Sequence, residues 1–169
     1  LSKQTEDHVT GKGDVESQGS FPVQASGLRK SYGNTVALDS IDISVRDGEL
    51  FGIIGPDGAG KTTLFRILTT LIIADDGKAS VNGYDVVEEY AEIRRNVGYM
   101  PGKFSLYQDM SVEENLNFFA AVFGTTPEDN YHLISDIYSH IEPFRKRRAG
   151  QLSGGMKQKL ALCCALIHK

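Results

Sequence analysis

The 169 residues contain no tryptophan, only five prolines and only two cysteines. Cys163 and Cys164 are adjacent on a helical pattern, where they cannot easily bridge each other, and they lack metal-ligand spacing. A disulfide framework and a zinc module are thereby excluded, and a reducing cytoplasm fits best. No apolar run approaches the roughly 18 residues of a membrane span, and the N-terminus lacks an apolar signal core, so any membrane role has to come through a partner. Positive charge is also short: 18 Lys and Arg stand against 22 Asp and Glu, a formal net charge of -4. No global field is left to hold nucleic acid or an anionic membrane. Internal repeats and low-complexity tracts are absent. With 40% hydrophobic and 24% charged residues, the composition is that of one well-cored globular domain.

Residues 1–22 offer almost nothing to bury and read as a disordered tail or an inter-domain linker. The structured pattern starts near Val23. Ile41-Asp42-Ile43-Ser44-Val45-Arg46 alternates as a strand with one wet face, and the Asp47-Gly48 turn leads into Leu50-Phe51-Gly52-Ile53-Ile54, a strand apolar on both faces. After a glycine-rich loop, Leu64, Ile67, Leu68 and Leu71 recur at helical spacing. Strand-like stretches flank Asn82-Gly83, and Val97 to Met100 reads as a further strand ending at Pro101. Ser111-Val112-Glu113-Glu114 is a capping box for a helix over about 112–123 whose stripe is Val112, Leu116, Phe119 and Phe123. A second helix is expected to open at Thr126-Pro127, with Leu133, Ile134, Ile137, Tyr138 and Ile141 inward. Arg145 to Arg148 reads as a solvated loop, and Ser153 starts a last helix from Gly154 to His168.

Two segments carry chemistry. Gly55-Pro56-Asp57-Gly58-Ala59-Gly60-Lys61-Thr62 is a phosphate-binding loop in the strand-loop-helix context such a loop needs. The glycines allow successive N–H groups to point at phosphates, and Lys61 offers charge to the β- and γ-phosphates. The Thr62 hydroxyl suits Mg²⁺, Thr63 can donate to the α-phosphate, and the following helix aims its positive end at the same anion. The second segment, Gln151-Leu152-Ser153-Gly154-Gly155-Met156-Lys157-Gln158-Lys159, sets a serine and two glycines at a helix start, which reads either as a second anion site or as a plain serine cap.

Together, the two segments resemble the nucleotide-binding domain of ABC transporters, from about Leu28 to the last residue. Their wording looks like the branch serving multidrug, lipid or polysaccharide exporters. The resemblance implies that Mg-ATP held by the loop is capped in trans by the Leu152, Ser153, Gly154, Gly155, Met156 and Gln158 signature of a second ATPase domain, in a homodimer or a tandem pair. It implies that Tyr32 stacks on adenine. It also implies that the helical region from Lys103 to Arg148 faces a transmembrane permease, which puts the chain on the inner face of the membrane. Nucleic acid is not among the implied partners.

The resemblance breaks at two places. The family's glutamine that reaches Mg²⁺ and the attacking water falls on Gly102, and Gln108 has no physical reason to stand in for it. The Walker B strand, with its Asp for Mg²⁺ and its Glu for water, would follow Lys169, as would the switch histidine. No complete catalytic set is therefore expected within these residues. Leu71 to Asp76, apolar residues running into two acids, lies a helix length from the phosphates and does not substitute; His168 reads as a helix C-terminal residue interacting with the dipole. The expected fold is α/β: a phosphate-loop core over 23–101 with an N-terminal antiparallel β part, an inserted helical subdomain over 102–150, and a signature helix over 151–169. Three other classes stay in view: a soluble ABC ATPase without a membrane partner, a different phosphate-loop enzyme such as a GTPase or kinase, and a nucleotide binder without hydrolysis. The sequence shows neither the long arms of the first nor the Asn-Lys-x-Asp motif of GTPases.

Overall fold

The computed structural model describes residues 20–102 and 105–168, so the tail or linker expected over 1–22 lies almost wholly outside the described residues. β1 (Val23–Tyr32) and β2 (Thr35–Val45) form a long antiparallel hairpin, and the alternation read at 41–46 is the half-buried, half-exposed face of β2. β3 (Asp76–Val81) pairs with the other edge of β1, and the two-residue β4 (Tyr84–Asp85) pairs with β3, giving the order β2-β1-β3-β4. Asn82 and Gly83, at φ 52° and 83°, make the tight turn between the last two strands, as their dipeptide signals.

Helix α1 (Lys61–Leu68) lays Leu64, Ile67 and Leu68 on this sheet, where Leu28, Leu38, Ala79 and Val81 meet them. Ile93 of α2 (Tyr90–Asn96) closes this first core. The apolar stripe was expected to reach Leu71, but the helix stops at Leu68 and Leu71 is exposed. Thr70 ends it by turning to φ 62°, and the Arg94 guanidinium holds that turn, donating to the Thr70 hydroxyl at 2.8 Å and its carbonyl at 2.7 Å.

Two expected strands do not form. Leu50 to Ile54 and Val97 to Met100 run as irregular segments, and Leu50 and Ile54 are 100% and 99% exposed. Apolar composition alone does not make a strand, because the backbone needs a ladder partner. Among the described residues no strand runs beside either segment.

The second core is helical. α3 (Val112–Val122), α4 (Tyr131–Tyr138) and α5 (Gly154–Leu166) gather Val112, Leu116, Ala120, Ile134, Leu160 and Cys163. The capping box at Ser111 and Glu114 is complete in both directions. Of the expected α3 stripe, Val112 and Leu116 are buried and Phe119 is partly so, whereas Phe123 is exposed on one side and stacks on His168 at 4.1 Å. α4 starts at Tyr131 and not at Thr126: residues 127–130 stay in turns, where the Thr126 hydroxyl donates to the Asp129 carboxylate at 2.8 Å and accepts from its amide at 3.2 Å, a helix-start bond that is not propagated. Leu133, expected inward, is exposed.

Both cysteines are free and buried. Burial pushes the Cys163 thiol up to about 11 and that of Cys164 higher still. Arg145 to Arg148 are exposed as read, while the carbonyls of Arg145 and Arg147 accept from the amides of Glu113 and Val112 at 3.0 Å. The fully buried Asn115 pins the turn before α3. Its amide nitrogen donates to the carbonyls of Tyr107 (2.9 Å), Ser111 (2.9 Å) and Met110 (3.3 Å), and its oxygen accepts from the Tyr107 amide at 3.0 Å.

Candidate functional site

The phosphate-loop residues form an exposed turn that ends on α1. Gly60 caps the helix at φ 84°, and a side chain there would run into the Ala37 carbonyl oxygen and, at 2.8 Å, into Leu38 of β2. The loop thus lies against the first hairpin, and only glycine lets it lie so close. Lys61 folds back across the turn, its ammonium donating to the carbonyls of Gly55 at 2.7 Å and Pro56 at 2.6 Å. Among the described residues the amides of Gly58, Gly60, Lys61, Thr62 and Thr63 make no hydrogen bond, while the Ala59 amide closes on the Pro56 carbonyl at 3.3 Å. The Thr62 and Thr63 hydroxyls are equally unengaged.

Five free amides, one ammonium and a helix N-terminus converging on a solvent-open turn suit a multiply charged oxyanion such as a polyphosphate. Thr62 lines a groove of about 710 Å³ between the irregular segments around Ile53 and Val97 to Gly102. Its hydroxyl can reach a cation there. Glu49 is the acid lining that groove, and the Arg46 amide donates to its carboxylate at 2.8 Å. No group of three His, Cys, Asp or Glu side chains converges as a metal site among the described residues. The donor set fits a hard cation already carried by phosphate oxygens, with Thr62 as its protein ligand.

Gly102 lines the same groove as Thr62, with open space where a side chain would stand. Gln108 lies elsewhere. Its carbonyl accepts from the Gly150 amide at 2.8 Å, which puts it at the turn leading to the Ser153 helix. Asp75 is no metal acid either, because the Lys30 ammonium at 2.6 Å and then the Ser31 amide at 2.7 Å hold its carboxyl below the usual range. That clamp fixes the end of β1 that carries Tyr32, a role the sequence gives no sign of. Tyr32 is half-exposed beside the β1–β2 turn, on the hairpin whose Ala37 meets Gly60.

At the other segment, Leu152 is buried in the helical core, and the Ser153 hydroxyl accepts from the Met156 amide at 3.4 Å to cap α5. Gly154 and Gly155 are exposed, and a side chain on either would meet nothing within 4 Å. Internal packing gives no reason for two helix-weakening glycines there. Gln158 is exposed on the same helix and Met156 is half-buried. The two motifs sit on different cores, the loop with the sheet and the Ser153 helix with α3 and α4. A close approach joins the halves where Gly98 lies against the Ala165 carbonyl. The last helix was expected to run to His168, but α5 ends at Leu166 and His168 lies just beyond it; burial lowers its pKa against the pull of the Val97 and Ala165 carbonyls, and its buried Nδ1 has no partner among the described residues. Ring stacking on Phe123 replaces charge as its anchor.

A sequence profile of the family described as ABC transporter matches residues 38–169. The chain belongs to the ABC transporter family. Among curated proteins it is 40% identical over 149 residues to the probable multidrug ABC transporter ATP-binding protein YbhF of Escherichia coli K12, covering 86% of this chain and 26% of that one. It is 37% identical over 149 residues to the doxorubicin resistance ATP-binding protein DrrA of Mycobacterium tuberculosis H37Rv, covering 86% of this chain and 45% of that one. The chain therefore spans about a quarter to a half of the length of these relatives. A solved structure described as the ATP binding subunit of an ABC transporter superposes with a TM-score of 0.76 at 26% identity, over 88% of this chain and 62% of the other. The ABC transporter cassette MJ0796, solved as a dimer, superposes with a TM-score of 0.73 at 23% identity, over 86% of this chain and 69% of the other, and shares the fold. The α/β fold of ABC ATPase domains, with an antiparallel N-terminal sheet and helices, is thus the fold of this ABC family chain.

Proposed function

We propose that this chain binds Mg-ATP as the nucleotide-binding part of an energy-coupling ATPase in an ABC-type exporter. One observation carries the reading: the amides of Gly58, Gly60, Lys61, Thr62 and Thr63 are free among the described residues at the N-terminus of α1, in the turn across which the Lys61 ammonium folds. In that role Gly55 to Gly60 wrap the phosphates, and Lys61 leaves the carbonyls of Gly55 and Pro56 for the β- and γ-phosphates. Thr62 holds Mg²⁺, Thr63 donates to the α-phosphate and Tyr32 stacks on the base. The metal supplies charge neutralisation between phosphate oxygens. The regions 23–101, 102–150 and 151–169 then act as nucleotide-binding core, helical subdomain and signature helix.

The exposed glycines supply the second half of the reading. Gly154 and Gly155 leave the start of α5 bare to something outside the chain, and a γ-phosphate carried by a second ATPase domain fits a serine hydroxyl beside open amides. The helical subdomain, with Tyr107, Phe118 and Val122 exposed, faces the permease on the cytoplasmic side of the membrane. Hydrolysis needs groups beyond these. Gly102 brings no side chain to Thr62, and Glu49 is engaged by the Arg46 amide, so a further acid and a water-orienting group must join the groove for turnover.

Sedimentation velocity tests the sandwich. With millimolar Mg-ATP the wild-type chain is expected to shift from monomer to dimer. Gly155→Asp is expected to stay monomeric while still gaining thermal stability from Mg-ATP, because an acid at a helix N-terminus suits the fold but repels a phosphate. A Gly155→Asp chain that dimerises like wild type would refute the role of the signature.

A further inference from the structure

β1 loses its regular ladder as it approaches Tyr32. Its pairing with β3 ends at Arg29 opposite Asp76, and its register with β2 shifts on both sides of Lys30. Asp75, the residue just before β3, supplies the bonds that the ladder no longer makes. Its amide donates to the Arg29 carbonyl at 2.8 Å, and its carboxylate accepts from the Ser31 amide at 2.7 Å and from the Lys30 ammonium at 2.6 Å. A plain strand-end cap would need only the first two bonds. The third draws in a cation whose side chain is 18% exposed and has no other hydrogen-bond partner among the described residues. Held by Asp75, the Lys30 ammonium stands 5.9 Å from the centroid of the Tyr32 ring, within the range of a cation–π contact. Lys30 is also the cross-strand partner of Leu38, whose side chain abuts Gly60 of the phosphate loop. One carboxylate thus fixes, through a single ammonium, an aromatic ring that is 48% exposed two residues beyond the rung that meets the loop.

A half-exposed tyrosine samples several rotamers, and a ring that its ligand has to order gives back part of the stacking energy as lost rotamer freedom. A cation held against the ring lowers that cost beforehand. We propose that Asp75 is a positioning residue for the nucleotide base: it holds the Lys30 ammonium against Tyr32, and the pair presets the ring as a surface for stacking. The proposal rests on the reading of Tyr32 as the residue that stacks on the base. Asp75 itself touches no nucleotide. Its effect is confined to the base, since the phosphates fall to the loop amides and Lys61.

Isothermal titration of the chain with Mg-ATP, and with inorganic tripolyphosphate in the presence of Mg²⁺, separates the base from the phosphates. Tyr32→Ala is expected to weaken ATP binding roughly fivefold or more, the size of a base–aromatic stack, and to leave tripolyphosphate unchanged. Asp75→Asn keeps an acceptor for the Ser31 amide but loses the charge that holds Lys30. It is expected to weaken ATP binding roughly two- to fivefold, the size of an exposed cation–π contact, again with tripolyphosphate unchanged. Lys30→Met leaves the bond from Ser31 to Asp75 in place and is expected to do the same, so it serves should Asp75→Asn disturb folding. In the Tyr32→Ala background, Asp75→Asn is expected to have no further effect on ATP, an outcome that a merely structural role would not produce. With Tyr32→Ala weakening ATP as expected, three results overturn the proposal and leave the reading of Tyr32 standing: equal losses of ATP and tripolyphosphate on Asp75→Asn, a loss of ATP that persists without the tyrosine ring, or an ATP affinity unmoved by either Asp75→Asn or Lys30→Met. ATP binding unmoved by Tyr32→Ala overturns the base reading and the proposal with it, and a wild-type chain that binds neither ligand overturns the nucleotide reading as a whole.

Discussion

Gly60→Ala is expected to abolish Mg-ATP binding and to destabilise the sheet half by about 3 kcal/mol, combining the left-handed penalty of roughly 1–2 kcal/mol with forced movement of a packed neighbour. The new Cβ would run into the Ala37 carbonyl oxygen, which is fixed backbone of β2, and would meet at 2.8 Å the Leu38 Cδ2 methyl, which is packed in the buried core. The loop has to lift off β2, which swings the amides of Lys61 and Thr62 off their common target. Gly58→Ala is the control. Gly58 has nearly the same φ, 83° against 84°, but open space around it. Its loss is expected to stay near the backbone penalty alone, about 1 kcal/mol. Isothermal titration with ATP and urea unfolding of both variants check the contrast, and equal losses at the two positions would show that contact with the hairpin does not shape the loop.

Asn115→Leu is expected to cost about 3 kcal/mol, because the isosteric side chain leaves the Tyr107 amide and carbonyl without their partner, at roughly 1–3 kcal/mol for an unsatisfied group, while the Ser111 and Met110 carbonyls keep the backbone amides of residues 115 and 149. The side chain is fully buried and its four hydrogen bonds tie residues 107–111 to the start of α3. For a chain of this size the melting temperature is expected to fall by roughly 6–12 °C at about 2–4 °C per kcal/mol. The nucleotide site lies on the other core, so ATP affinity is expected to hold. A wild-type melting temperature for Asn115→Leu would mean that this network contributes nothing to the helical half.

Local chemistry was legible in the sequence wherever a few neighbouring residues decide the outcome. Ser111 with Glu114, Asn82 with Gly83, and Ser153 before Gly154 all build the caps and turns their spacing announces. What failed depended on distant partners. Leu50 to Ile54 has the composition of a buried strand, yet a strand's backbone is satisfied only by another strand. α1 stops short of Leu71 because Arg94, from α2, clamps Thr70, and no periodicity within α1 carries that information. Thr126 and Asp129 bond each other in a turn where an acidic first turn after proline reads as helix.

The site divides along the same line. The pattern from Gly55 to Thr62 located the loop, but not the reason Gly60 is irreplaceable, which lies in the carbonyl of Ala37 on β2. Asp75, read as a surface turn, clamps Lys30 and Ser31 near Tyr32.

Thermal unfolding of wild type and Lys61→Ala in rising Mg-ATP tests the nucleotide-site assignment most directly. Lys61→Ala loses the bonds to the Gly55 and Pro56 carbonyls as well, so the ligand-dependent change is the quantity that decides, not the starting melting temperature. At a hundredfold excess over the dissociation constant, binding is expected to stabilise wild type by about 2.7 kcal/mol, a rise of roughly 5–10 °C. The Lys61→Ala chain is expected to show no rise, and a rise equal to wild type would contradict the assignment of the loop as the ATP site.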